Sequence, residues 1–372
     1  MYFQIVDSNK KCEKVFSDGK VRDYIPDDKF KKTWKYSSHL RSTPEQFDYA
    51  YLMCEGDMQN ICPRFYEDTW TKHFRKISSI LKSVKISMCD LENSCIYDYI
   101  PDKFLYDFLT SRDLIIKNAF ENFAKPNHYE ILRKAHVLTE EMNSRLNLYK
   151  GEQKRTNYNI FGTKTGRLSN PKSSLPILTM KKEDRVFLEP SNDLFVEFDF
   201  NAAELRTLLA LSGKEQPQID IHDWNLQQAK ENLSREEMKK RTFAWLYNPG
   251  ASDGLLERLY DRSNVMGSNW DGSRVKTPFL RFFETDERRS LNYLLQSTSS
   301  DICIEQSYKL REFFKNSNTK ICYLLHDSVI LDFDKNDVSK FLQAKEIFSN
   351  TRLGKYLVNA SIGKNFGQMK EV

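Results

Sequence analysis

Two aspartates sit where a carboxylate is costly to keep. Asp199 closes the run Ser-Asn-Asp-Leu-Phe-Val-Glu-Phe-Asp-Phe over 191–200, and Asp327 interrupts the apolar stretch from Ile321 to Phe333. A charge at the end of a buried strand needs a cationic partner. Taken singly, either residue reads as a turn or cap. If the two met, 128 residues apart in sequence, they would repel until a divalent cation joined them. A pair of such ions about 3.5–4 Å apart stabilises both the attacking and the leaving oxygen of a phosphoryl transfer. Beyond Ser234, Arg235, Lys239, Phe243 and Tyr247 recur at every fourth position, each step advancing about 40° around a 3.6-residue helix. The stripe runs from two cations to two aromatics. Phosphates want cations, while sugar and base want flat apolar faces, so it suits a nucleotide laid along the helix. A solvated basic turn followed by aromatic core residues explains each side chain, but not their order beside Asp199 and Asp327.

These residues need elements to hold them. The 191–200 run reads as a buried strand, with a helix starting at once through Ala202, Ala203, Leu205, Leu208 and Leu211. Ser234, with Glu237 three residues on, is a capping-box start for a helix to about Tyr247. The stretch 321–333 reads as two apolar strands joined by His326-Asp327-Ser328 as a hairpin turn. From Pro101 to about Tyr149 the apolar period is helical, broken at Pro126. Between Lys150 and Arg167, five cations face a single Glu152, with Tyr158 and Phe161 among them. That mixture suits a strand of phosphates with stacking surfaces beside it, or equally a solvated loop. Residues 1–95 show short apolar runs and turns without a motif.

Composition sets the frame. Of 372 residues, 13% are aromatic and 29% charged, with only 13 Gly and 11 Pro, which excludes collagen-like, low-complexity and largely disordered chains. No apolar run reaches the roughly 18–20 residues of a membrane span, and the start shows no signal-peptide pattern. A soluble, cytoplasmic protein with no membrane partner is expected. The net charge of +5 says little without clustering. Seven cysteines (12, 54, 62, 89, 95, 303 and 322) include no C-x-x-C pair. They read as thiols of a reducing compartment rather than as a zinc site with His73.

The motifs carry a family resemblance. Asp199-Phe-Asn-Ala-Ala-Glu-Leu-Arg206 resembles the first catalytic motif of family A (polymerase I-like) DNA polymerases, D-Y-S-Q-I-E-L-R. The stripe resembles their R-x-x-x-K-x-x-x-F-x-x-x-Y helix, and Leu-His326-Asp327-Ser resembles V-H-D-E. In the same order, Thr165-Gly-Arg167-Leu-Ser-Asn resembles T-G-R-L-S-S, and Asp220-Ile-His222 resembles D-I-H. Arg288, Asn292 and Gln296 before Ser-Thr-Ser-Ser-Asp301 resemble R-x-x-x-N-x-x-x-Q-G-T-A-A-D, and Ile362-Gly-Lys-Asn-Phe-Gly-Gln-Met resembles the family's last strand. The likeness spans about 160–372, and more loosely 100–160.

The resemblance implies an α+β, multi-domain right hand with an antiparallel palm sheet, helical fingers and helical thumb. Residues 1–95 would be a small N-terminal region of unassigned role, 96–160 the thumb leading into the palm, and 161–212 palm with Asp199. Residues 213–285 would be fingers and 286–372 palm with Asp327. It implies a DNA-directed DNA polymerase acting in replication or repair on primer–template DNA and dNTPs. Two Mg²⁺ ions, with Mn²⁺ as a substitute, would sit on Asp199, Asp327 and the Phe200 carbonyl. Arg235, Lys239 and His222 would meet the triphosphate, with Lys239 as proton donor to pyrophosphate. Phe243 would face the sugar, and Tyr247 would lie by the templating base and brace Glu204. Arg167, Arg288, Asn292, Gln296 and His326 would contact primer and template.

Glu204 divides two kinds of polymerase. A carboxylate beneath C2′ leaves no room for a hydroxyl, so Glu204 with Phe243 implies dNTPs. Single-subunit RNA polymerases resemble the chain in the stripe and in His-Asp-Ser, and stay as the alternative, with a catalytically inactive DNA-binding relative as another. Ser328 stands where the family has Glu, removing a negative charge near the metals. Asp90-Leu-Glu92 is a formal D-x-E but reads as chance, so no proofreading exonuclease is expected. A separate exonuclease or a processivity partner, and a phage-like source, fit that expectation.

Overall fold

A computed structural model describes residues 2–4, 15–17, 20–22, 44–89, 96–143, 145–229, 231–248 and 250–372. The formal D-x-E at 90–92 and Cys12 and Cys95 lie outside them. The chain divides into two compact units, Met1–Pro126 and Asn127–Val372. The division falls inside the stretch expected to form one thumb segment.

In the first unit a three-stranded antiparallel sheet, β1 (Tyr2–Gln4), β2 (Val15–Ser17) and β3 (Lys20–Arg22), accompanies three helices. These are α1 (Pro44–Met53), α2 (Glu67–Ile86) and α3 (Asp102–Asn122). Glu67 and Asp68 in the first turn of α2 and Lys85 in its last both favour the helix dipole. Trp70, Ile77 and Val84, seven residues apart, are its buried positions. Trp70 stacks on Phe108 of α3 at 5.3 Å between ring centroids, within a core that includes Phe47, Leu105, Leu109 and Ile116. His73 Nδ1 lies 2.8 Å from Ser111 Oγ, and Cys54, Cys62 and Cys89 are free thiols.

The second unit starts with α4 (Tyr129–Met142) and the hairpin β4 (Leu146–Tyr149) and β5 (Glu152–Arg155). The helical period therefore stops at Met142 rather than near Tyr149. Lys150 and Gly151 take φ of +52° and +81° at the hairpin tip, as a two-residue primed turn demands. Then come β6 (Leu194–Phe200), α5 (Ala203–Leu211), α6 (Ile221–Ala229), α7 (Arg235–Tyr247), α8 (Gly254–Tyr260) and α9 (Arg262–Asn269). A hairpin of β7 (Arg274–Lys276) and β8 (Phe282–Glu284) leads to the long α10 (Glu287–Phe313). The chain ends through β9 (Lys320–Leu325), β10 (Ser328–Phe333), α11 (Phe341–Ser349), β11 (Asn350–Thr351), β12 (Gly354–Lys355), β13 (Val358–Gly363) and β14 (Lys370–Glu371).

The central sheet is antiparallel throughout, in the order β14-β13-β6-β10-β9, so the protein is of the α+β class. Strand alternation puts Phe198 and Phe200 on one face, where Phe200 stacks on Phe348 of α11 at 4.3 Å. Glu197 and Asp199 fall on the other face. α10 packs against α4, α5 and α11, its middle turns buried through small polar residues such as Ser297, Ser299 and Ser300. Among the described residues no helix is long and apolar enough to cross a membrane.

Candidate active site

The two strands foreseen around the aspartates pair with each other. In the β6–β10 register Ser328 stands opposite Asp199, and the Phe200 N–H donates to the Asp327 carbonyl at 3.3 Å. Asp327 therefore lies beside the end of Asp199's strand, in the two-residue loop joining β9 to β10. His326 in that loop takes φ of +53°, and Ala202, just past β6, takes +51°. Positive φ in side-chain-bearing residues is uncommon, and here it occurs at both corners flanking the aspartates.

Electrostatics marks the same place. Burial pushes the Asp199 carboxyl up to about 8, helped by the charges of Asp327 and Glu197. Burial also raises Asp327, against the opposing pull of His326 and Arg167. Glu197 is raised by burial as well and accepts a hydrogen bond from Ser328 Oγ at 3.0 Å. The sequence reading missed Glu197, although a period of two places it on Asp199's face of β6. Ser328 stands where a Glu was expected, and its hydroxyl holds a carboxylate delivered by the neighbouring strand.

These oxygens suit a hard cation. Mg²⁺ commonly takes one or two carboxylates and completes its shell with water and substrate phosphates. Among the described residues no group of three or more His, Cys, Asp or Glu side chains converges into a closed cage.

A second network centres on Glu204 in the first turn of α5. Arg167 Nη2 donates to Glu204 Oε1 at 2.6 Å, and the Tyr247 hydroxyl donates to Oε2 at 2.6 Å. Burial raises the Tyr247 phenol and the Glu204 charge raises it further. Tyr247 stacks on Phe243 at 5.8 Å, and Phe243 meets His222 edge-on at 5.5 Å. Gly166, just before Arg167, leaves room for Arg281: its φ is +79°, and a Cβ there would lie 2.7 Å from the Arg281 guanidinium.

On α7, Met238, Thr242, Trp245 and Leu246 are the buried residues, and the capping box of Ser234 and Glu237 is formed. The stripe is thus not the core face; Tyr247 is 48% exposed. Arg235 is held by Asp220, Nη2 to Oδ2 at 2.8 Å and Nε to Oδ1 at 3.3 Å. Asp220 also accepts from Asn201 Nδ2 at 2.9 Å and from the backbone of His222 and Asp223. Although burial opposes it, this set of donors holds the Asp220 carboxyl well below the ordinary carboxylate range. Lys239 is half-buried, and among the described residues no carboxylate lies within 4.0 Å of it. His222 is buried and its Nδ1 has no hydrogen-bond partner. Burial lowers its pKa, and the charges of Arg235 and Lys239 add to that.

Arg167 and His326 line one narrow crevice with Ser300 and Cys303 of α10. Arg288, Asn292 and Gln296 precede that point at four-residue steps, Arg288 exposed and the others half-buried. Among the described residues none of the three hydrogen-bonds to the aspartates, Glu204 or Arg235. The basic stretch before Arg167 is mostly engaged. Lys150 pairs with Asp184, Lys154 with Glu152, and Lys164 bonds the Glu284 carbonyl. Tyr158 is buried with its hydroxyl on the Leu324 carbonyl at 3.0 Å, so it braces β9 rather than offering a stacking face.

No protein-family model matches the sequence, and no curated protein does. Among solved structures the chain is similar to the polymerase domain of Pol1 from M. smegmatis, in complex with DNA primer-template and dNTP. The identity is 14% and the TM-score 0.48, over 87% of this chain and 68% of that one.

Proposed function

We propose that the chain is a template-directed DNA polymerase of the family A type, adding dNMPs to a primer 3′-hydroxyl. One observation carries this reading: β6 and β10 pair so that Asp199 faces Ser328 and adjoins Asp327. The ordered motifs around the pair support it.

Asp199, Asp327 and the Phe200 carbonyl would hold two Mg²⁺ ions, which when bound would acidify the primer hydroxyl and neutralise charge on the triphosphate. Arg235 exchanges Asp220 for the incoming phosphates, and Lys239, without a carboxylate partner, meets them directly. Lys239 is also placed to give a proton to departing pyrophosphate. The buried, unpartnered His222 Nδ1 favours a neutral imidazole that donates to, or accepts from, the same phosphates. Phe243 offers its ring to the sugar, and Tyr247 lies beside the templating base.

Glu204 sets sugar choice. Arg167 and Tyr247 each take one of its oxygens, so the carboxylate cannot swing aside to admit a 2′-hydroxyl. Arg167, Arg288, Asn292, Gln296 and His326 are the groups for primer and template, reading backbone and minor-groove edge without sequence preference. The reading favours DNA over RNA synthesis because the Glu204 clamp is intact, even though His-Asp-Ser also suits an RNA polymerase.

Extension of a labelled primer–template with Mg²⁺ and either dNTPs or rNTPs tests it. We expect dNTP-dependent extension that falls on the order of 10³-fold in Asp199→Asn or Asp327→Asn, with DNA binding retained. Glu204→Ala should admit ribonucleotides. Preference for rNTPs in the unaltered protein selects the RNA-polymerase reading, and binding without extension selects an inactive relative.

A further inference from the structure

Outside that site, the exposed face of α2 carries an inference furthest. From Thr69 to Cys89 the chain has five Lys or Arg residues and no Asp or Glu. At about 100° per residue, Lys72, Arg75, Lys76, Ser79, Lys82 and Ser83 fall within an arc of roughly 120°. All six are exposed. Trp70, Ile77 and Val84 fall on the opposite side and are buried, so the helix cannot turn its basic face inward. The eleven steps from Lys72 to Ser83 make a ribbon roughly 16 Å long.

Beside the ribbon is a groove of about 790 Å³, lined by Lys72, Arg75, Lys76 and Ser79 of α2 and by Lys103 and Phe104 of α3. Lys76 Nζ stands 4.5 Å from the Phe104 ring centroid. Asp68 and Asp107 also line the groove. Even so, among the described residues no carboxylate lies within 4.0 Å of the Lys72, Arg75, Lys76, Lys82 or Lys103 head groups.

We infer that this face is a sequence-independent contact for the sugar–phosphate backbone of DNA, carried by the first unit. Length argues for a polymer: a single phosphate spans a few ångströms, whereas the cations follow one another along the helix. Flexible lysines suit phosphates rather than base edges. A membrane surface is a poorer fit, because Trp70, Ile77 and Val84 lie in the unit's own core and the exposed Phe74 and Ile86 stand twelve residues apart, not as a continuous apolar face. The inference takes DNA as its ligand from the polymerase proposal but adds a binding surface to residues that proposal leaves without a role.

The test is fluorescence anisotropy of a labelled primer–template with the full chain over a KCl series, without nucleotide or Mg²⁺. The comparison is with Lys72→Gln/Arg75→Gln/Lys76→Gln/Lys82→Gln, its fold checked by circular dichroism. Each lost phosphate contact removes about 0.9 from the slope of log K against log[salt], so the slope should flatten by about 3–4. Kd near about 0.1 M KCl should rise at least tenfold. Replacing the three lysines by arginine should leave the slope intact. An unchanged slope in the Gln variant overturns the inference. Displacement of DNA by millimolar pyrophosphate at matched ionic strength, from the unaltered protein but not from the Gln variant, also overturns it, making the groove a small-anion pocket. Failure of the polymerase reading shows elsewhere, as absence of extension, and this binding measurement does not depend on it.

Discussion

In the second unit many arginines have found carboxylates, while the buried Arg206 donates instead to Asn201 and to the carbonyls of Pro217 and Ile219. Arg281 grips the buried Asp301 through two bonds, Arg145 reaches Asp332, Arg352 holds Glu305, and Arg241 holds Asp253. Along α2 of the first unit, Lys72, Arg75, Lys76 and Lys82 have none within 4.0 Å among the described residues. The second unit has its own exception, of opposite sign. Burial raises the carboxyls of Asp199, Asp327 and Glu197 at one end of the sheet, and the Asp327 charge adds to the rise of Asp199 and Glu197. In the readings proposed above, these unpaired charges would meet an ion from outside: a cation at the β6–β10 end and a polyanion along α2.

The buried pair breaks or upholds this division most sharply. Arg281→Ala leaves Asp301 enclosed with its principal partner gone, and removing one member of a buried pair costs about 3–5 kcal/mol. Each single Gln substitution on the α2 face should fall within about 0.5 kcal/mol of the unaltered protein, as exposed charges do. Urea unfolding measures both. A large loss of stability from the α2 variants would mean that their cations are structural after all.

Carboxylates without a counter-ion give the next effect. A carboxyl whose folded pKa is raised lends stability at low pH and loses it as pH climbs through that pKa. For Asp199 the window runs from its ordinary 3.8 up to about 8. In EDTA the melting temperature should therefore fall as pH rises across that range. Asp199→Asn should flatten the fall and melt a few degrees higher near the upper end, about 2–4 °C for each kcal/mol relieved in a unit of this size. Millimolar Mg²⁺ should restore the unaltered protein and leave the variant largely unmoved. A variant that melts lower than the unaltered protein near the upper end in EDTA contradicts the crowding argument.

Much of this was legible in the sequence because it is local. The apolar run closed by Asp199, the capping box at Ser234 and the turn at 326–328 each announce an element through a few adjacent residues. Glu197 was legible too, by its two-residue spacing from Asp199, but a lone acid in an apolar run looks incidental until Ser328 is seen across the ladder. The Asp220–Arg235 pair was not legible, since it depends on where the segment ahead of α6 meets α7. Helix α2 was missed because its fully buried positions recur only every seventh residue, so residues 1–95 showed only short apolar runs and turns. The 150–167 stretch stayed open between a phosphate track and a solvated loop; in the fold Lys150 pairs with Asp184, Lys164 bonds the Glu284 carbonyl and Arg167 pairs with Glu204.

Between the two classes stands Arg235, paired but exposed, and it gives the smallest effect. Its side chain is 42% accessible while bound to Asp220, so the ion pair is worth about 0.2–1 kcal/mol. A triphosphate arriving at Arg235 must displace that carboxylate. Asp220→Asn keeps an oxygen for the His222 and Asp223 amides while removing the competing charge. Arg235, still within 3.2 Å of Glu236 and 3.6 Å of Asp223, should then bind dNTP tighter by no more than that amount, lowering KM by at most about fivefold, with kcat little changed. Steady-state extension on a fixed primer–template reads this directly. A raised KM would show that Asp220 orients Arg235 for the phosphates rather than competing with them, and would move this pair into the structural class with Arg281 and Asp301.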